Sequence, residues 1–199
     1  MDRINWKFSD KFRSHWIKVK FYEDDPKLKD VEKPRKIRFC EATNKAITRP
    51  VLVSKSAISC PGAKYALGFE NNGSIKFCDD KRNVSGSILE TMIEKSSILK
   101  TSYEYIGFNT DGDPDLLISY LPPEEVMNIV KIYNDKEGKN LDISLSTMMS
   151  VCGGVAVKAL NEKQVSFSFG CDDSRKFADM RRENLAVGIP KNLFNVFVD

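Results

Sequence analysis

The sequence predicts an α/β (or α+β) fold: a single domain with a central mixed sheet flanked by helices. Three observations lead there. Runs of strand length recur, among them Ile17-Lys18-Val19-Lys20-Phe21-Tyr22 and Leu116-Leu117-Ile118-Ser119-Tyr120-Leu121. Strand runs pass directly into helix starts, most clearly where Leu121 meets Pro122-Pro123-Glu124-Glu125. No linker or low-complexity tract interrupts the 199 residues, so residues 1–199 read as one globular domain.

Taken in order, residues 1–14 have the pattern of a short amphipathic lead-in helix. Trp16 to Tyr22 alternates apolar and basic residues, the mark of a half-buried strand. Asp24-Asp25-Pro26 ends it, and the charged stretch to Pro34 reads as loop. Lys36-Ile37-Arg38-Phe39 predicts a short strand ending at Cys40, with helical character from Glu41 to Ile47 until Arg49-Pro50 breaks it. Val51-Leu52-Val53 predicts a strand. Cys60-Pro61-Gly62 then predicts a helix start with Cys60 at the cap, because proline's missing N–H has no partner at the first helical position.

Asn71-Asn72-Gly73 reads as a turn, Ile88 to Ile93 as a helix, and Tyr103 to Phe108 as a strand. Asp111-Gly112-Asp113-Pro114 is turn chemistry, and Asp113 with Asp115 lacks the spacing and closing Glu of a calcium loop. Leu116–Leu121 is apolar enough for a buried strand, and Pro122 to Tyr133 is the clearest helix, its acids complementing the helix dipole. Leu141 to Met149 leads into the Val/Ala-rich run after Cys152. Val165 to Phe169 predicts a buried strand, a helix follows Cys171 as far as Arg182, and Ile189-Pro190 closes the pattern before a last packing segment around Phe194 and Phe197.

Composition bounds the function. Hydrophobic residues are 41% and charged residues 30%, an ordinary folded composition. Net charge is +3, with basic residues interleaved among acids, which argues against nucleic acid as partner. No apolar run approaches the ~20 residues of a membrane span. The first residues lack a signal-peptide core, so a cytoplasmic protein is expected. The single histidine, His15, reads as structural, which weighs against Ser–His–Asp and Cys–His enzymes.

The chemistry concentrates in cysteine. There are five: Cys40, Cys60, Cys78, Cys152 and Cys171. An odd count without a secretion signal argues against a disulfide scaffold and for metal or redox use. Cys40 and Cys171 each follow a strand run with an acid next, whereas Cys60 and Cys152 each have glycine within two residues and an Ala/Val-rich run after. Nineteen residues separate Cys40 from Cys60 and 18 separate Cys152 from Cys171. This suggests a faint internal pseudo-symmetry, with the two kinds of setting in opposite order. Adjacent glycines let backbone N–H groups approach sulfur, and helix starts offset the charge of clustered thiolates. The short C-x₂-C pairs of zinc ribbons are absent, so ligands would come from four separate loops.

Five pieces carry a family resemblance: Phe39-Cys40-Glu41-Ala42; Cys60-Pro61-Gly62-Ala63-Lys64-Tyr65-Ala66-Leu67-Gly68; Pro114-Asp115-Leu116-Leu117-Ile118; Cys152 before its glycine pair; and Gly170-Cys171-Asp172-Asp173-Ser174-Arg175. From about Trp16 to Pro190 the chain resembles the domain-of-unknown-function 169 family, a group of archaeal and anaerobic-bacterial proteins. The resemblance implies shared cysteines at Cys40, Cys60, Cys152 and Cys171 and none at Cys78. It implies no reaction.

The expected function is a metal-binding protein, an iron–sulfur protein with one 4Fe–4S cluster on Cys40, Cys60, Cys152 and Cys171, in a redox, electron-transfer or sensing role. Four thiolates without histidine suit a cluster or zinc, so the alternatives are a structural zinc module and a metal-free thiol enzyme. The residues leave open whether it is an enzyme at all. Expected partners are a redox protein or a small-molecule ligand, with no nucleic acid and no membrane. Arg175, one turn after Cys171, is expected either to pair with Asp172 or to stabilise a thiolate or anionic ligand. Cys78, beside Asp79-Asp80, is expected to lie outside the site.

Overall fold

The computed structural model describes residues 15–70, 98–99, 102–143, 145 and 148–197. The expected helices at 1–14 and 88–93, the turn at 71–73 and Cys78 lie outside the described residues. Among the described residues six strands form one sheet: β1 (Ile17–Tyr22), β2 (Val51–Ser54), β3 (Tyr105–Phe108), β4 (Leu116–Leu121), β5 (Ser166–Ser168) and β6 (Leu185–Pro190). Their order is β2-β3-β1-β4-β6-β5, and every named pair is antiparallel. The parallel part of the expected mixed sheet is confined to two isolated bridges, Glu32 to Val51 and Ile37 to Ile58. The helices are α1 (Phe39–Lys45), α2 (Pro61–Ala66), α3 (Pro123–Glu137), α4 (Lys158–Glu162), α5 (Asp172–Phe177) and α6 (Phe194–Phe197), with a π-helix at Ser150–Val157. The class is mixed α/β in a single domain, as the sequence predicts.

Alternation along the strands sorts side chains onto two faces. On one, Ile17, Val19 and Phe21 of β1 join Leu116 and Ile118 of β4 beneath α1, α2, the π-helix and α4. On the other, Leu117 and Leu121 of β4 and Val187 and Ile189 of β6 pack on Ile129 and Tyr133 of α3 and on Phe194 and Phe197 of α6. β4 is therefore buried on both sides, which explains its unbroken apolar run. β1 buries only alternate residues. Each fully buried large side chain contributes about 1.5–3 kcal/mol.

The structure corrects several local readings. Ile37 makes a single bridge rather than a strand, and α1 begins at Phe39, so Cys40 is inside the helix and not before it. α5 ends at Phe177, well short of Arg182, and Asp179 follows in the left-handed region. Leu185–Pro190 is a strand between β4 and β5, although the sequence reading assigned no element there. Its glycine explains the disguise: a Cβ on Gly188 would lie 2.7 Å from Val155 Cγ1 and 3.1 Å from the Val155 carbonyl oxygen, so the π-helix can pack down only onto glycine. β5 is an edge strand, but the π-helix lies against it and all three residues are buried, while Phe169 turns outward.

An internal two-fold pattern organises the sheet. β2-β3-β1 on one side mirrors β5-β6-β4 on the other, with the antiparallel β1–β4 pair at the centre. Each half runs strand, cysteine, strand, cysteine capping a six-residue helix, strand. The equivalent positions are thus Cys40 with Cys152 and Cys60 with Cys171, in the same order in both halves. The opposite-order pairing suggested by neighbouring residue types is overturned by topology. Among the described residues no helix is long and apolar enough to cross a membrane.

Candidate four-thiol site

Each cysteine is held by a different local device. Cys60 caps α2 with Pro61 at the first helical position, as predicted. The backbone N–H groups of Ala63 and Gly62 favour its thiolate, against the effect of burial. A Cβ on Gly62 would sit 2.9 Å from Met149 Cγ, so glycine admits the methionine beside Cys60. Cys171 caps α5: its N–H donates to Ser174 Oγ at 2.8 Å, and the Ser174 hydroxyl donates to the Cys171 carbonyl at 2.9 Å. Gly170 precedes it at φ +84°, where a Cβ would meet Ser174 Oγ at 2.8 Å and Met180 Sδ at 2.9 Å. The glycine–cysteine–serine piece is therefore one interlocked turn.

Cys152 is the third residue of the π-helix, where the Gly153 and Gly154 N–H groups both donate to the Met149 carbonyl, at 2.7 and 2.9 Å. Met149 itself has φ +47°, an unusual conformation for a non-glycine residue. Wide π turns and strained residues cluster at functional sites. Cys40 is brought to Cys60 by the parallel bridge: Ile37 N–H donates to the Ala57 carbonyl at 2.9 Å and Ser59 N–H to the Ile37 carbonyl at 2.8 Å. The chain leaves that bridge in two arms, one entering α1 at Cys40 and the other entering α2 at Cys60.

All four cysteines are unpaired thiols. Cys40 and Cys152 are buried, and Cys60 and Cys171 are half-buried. They face one another closely enough to alter each other's acidity. Burial pushes the Cys40 thiol up to about 12, helped by negative charge on Cys171 and Cys60. Burial raises Cys152 well above the ordinary range, followed by charge on Cys60, Cys171 and Cys40. Cys60 is raised by burial, with the N–H groups of Ala63 and Gly62 opposing and the Asp173 carboxylate adding to it. Sulfurs 131 residues apart in sequence thus share one place. No three His, Cys, Asp or Glu side chains among the described residues are drawn together tightly enough to hold a single ion.

The neighbouring groups fix the frame. Arg38 ties α1 to α5, with Nε 3.3 Å from Asp173 Oδ2 and the guanidinium 3.8 Å from the centre of the Phe177 ring. Arg175 does not pair with Asp172. Its guanidinium donates to the backbone carbonyls of Phe169 and Arg181, and to those of Arg182 and Asn184 at 3.1 Å each. It clamps the segment after α5 against the turn that carries Cys171. His15 is exposed and offers its carbonyl to Ser119 Oγ at 2.8 Å, a structural contact. Asp115 accepts from the Phe21 N–H at 2.8 Å, consistent with a turn and strand anchor.

Sequence reasoning missed two hydroxyls. Tyr120 Oη lies 2.7 Å from Thr43 Oγ1, which donates to the Cys40 carbonyl at 2.6 Å. Burial raises the Tyr120 phenol, and negative charge on Cys40, Cys171 and Cys152 raises it further. The apolar run around Tyr120 conceals this, since only its odd place in the strand alternation marks it.

Fold and site define a class: a mixed α/β protein in which two strand–cysteine–strand–cysteine–strand halves bring four thiols together. The family whose sequence pattern matches, over residues 11–199, is domain of unknown function 169 (DUF169), described as uncharacterised ArCR, and the chain belongs to it. No curated protein and no solved structure matches the chain.

Proposed function

We propose that the protein is a metal-binding protein whose Cys40, Cys60, Cys152 and Cys171 hold one 4Fe–4S cluster, with a redox, electron-transfer or sensing role. The observation that carries this reading is the mutual facing of four thiols from four separate elements. The donor set supports it, because four cysteines without histidine suit iron–sulfur or zinc. Backbone N–H groups of Gly62 and Ala63 near Cys60 and of Glu41 near Cys40 are ready donors to thiolate sulfur. A free thiol enzyme working through Cys60 fits less well, since burial raises that thiol and leaves it poorly ionised at neutral pH. A redox protein or small-molecule ligand is the partner in this reading, with no nucleic acid or membrane involved, and a reducing cytoplasm suits four thiols.

The test is anaerobic purification followed by iron, acid-labile sulfide and zinc analysis and an absorbance spectrum. Iron and sulfide in equal amounts, with a band near ~400 nm, are expected of a cluster. Stoichiometric zinc instead supports the structural-zinc reading. Protein that takes up neither after anaerobic reconstitution overturns both.

A further inference from the structure

This inference rests on the four-thiol reading and extends it to the two hydroxyls. Thr43 is fully buried, and its one hydroxyl proton goes to the Cys40 carbonyl at 2.6 Å. Thr43 Oγ1 can therefore only accept from Tyr120 at 2.7 Å, which makes the phenol the donor. The chain of bonds runs Tyr120 to Thr43 to the carbonyl of Cys40, on the first turn of α1. Cys40, Cys152 and Cys171 lie close enough to the phenol for their charge to act on it. These three come from α1, the π-helix and the cap of α5. A single strand residue of β4 is thus tied through Thr43 to the backbone of one ligand turn.

We propose that Tyr120, acting through Thr43, is the positioning residue of the site. While the thiols are protonated, it donates to Thr43 and holds the Cys40 turn in register with β4. When Cys40 binds metal, the same two bonds keep its turn in place, so loading does not have to order it. Outer hydrogen bonds of this kind orient a ligand.

The test uses the full chain, reduced under anaerobic conditions, with Zn²⁺ alone as probe in competition with a chelator. Tyr120→Phe and Thr43→Val should each hold Zn²⁺ about 10–100-fold more weakly than wild type, and Thr43→Ser should match wild type. A merely structural role would lower the thermal stability of metal-free and loaded protein equally and leave Zn²⁺ affinity unmoved. Tyr120→Phe with wild-type affinity overturns the proposal. If wild type takes neither Zn²⁺ nor iron and sulfide, the metal reading itself has failed, and Cys40 alkylation in the metal-free protein then decides the positioning role. Faster alkylation of Cys40 in Tyr120→Phe than in wild type upholds it, and equal rates overturn it.

Discussion

Metal loading should keep strengthening with pH far beyond the point where an ordinary cysteine site levels off. Three thiols, Cys40, Cys60 and Cys152, sit above the usual value of 9, burial being the first cause at each. Metal binds the thiolate, so each of these sites must release a proton on loading. Below the thiol pKa every released proton changes apparent affinity about tenfold per pH unit, so three give roughly a thousandfold. Cys40, at about 12, is ionised in roughly one molecule in a hundred thousand at pH 7, against about one in a hundred for a thiol at 9. The difference of three pH units corresponds to about 4 kcal/mol of extra deprotonation cost, at about 1.4 kcal/mol each. The assay is Zn²⁺ affinity against a chelator of known protonation behaviour, from pH 7 to pH 10.5. Affinity should climb steeply from 7 to 9 and continue to climb above 9. A plateau at pH 9 would refute the claim that burial holds these thiols protonated.

Four other outcomes follow from the same structure. Metal-free protein should lose stability in alkali: a thiol raised in the folded state stabilises below pH 9, and that contribution is lost as pH rises toward 12, about 4 kcal/mol for Cys40 alone. Urea unfolding at pH 8 and pH 11 checks it, and an unchanged free energy contradicts it. Gly188→Ala should cost about 1–3 kcal/mol by overpacking against Val155, read as a lowered Tm, while an unshifted Tm would show that the π-helix is not seated on β6. Cys171→Ser should abolish metal uptake and Cys78→Ser should leave it intact, as measured by elemental analysis, and the reverse pattern would sink the ligand assignment. Arg175→Ala should cost about 1–2 kcal/mol by releasing the carbonyls of Phe169, Arg181, Arg182 and Asn184. Faster amide exchange across 178–184 would accompany it, and Arg175→Lys should rescue little because one ammonium cannot span that fork.

The parts of this protein that are legible in the linear chain are those set by local chemistry. Leu116–Leu121 announces a strand buried on both faces because no polar residue but Ser119 interrupts it. Cys60 announces a helix cap because Pro61 has no N–H to donate there. Pro122, Pro123 and the glutamates after them announce α3 by the same logic. The four candidate cysteines stand out by residue type and by glycine beside three of them.

Other features depend on contacts that no local window contains. β6 is hidden because Gly188 and Pro190 weaken a strand signal, and the reason for Gly188 is a π-helix 33 residues earlier in the chain. Arg175 looks like half of a helical ion pair until the carbonyls of the following segment fold back onto it. Cys40 and Cys171 look alike by their neighbours, yet topology makes Cys40 equivalent to Cys152, since position in the sheet and not residue type fixes the equivalence. Sequence by itself determined the class of fold, the helix starts and which sulfurs were candidates, because propensity, capping and apolar periodicity act over a few residues. Only the tertiary structure decided that the four cysteines come near enough for charge on one to act on another, that burial keeps three of them protonated, and that Tyr120 and Thr43 stand beside Cys40, because proximity and desolvation are created by packing between elements distant along the chain.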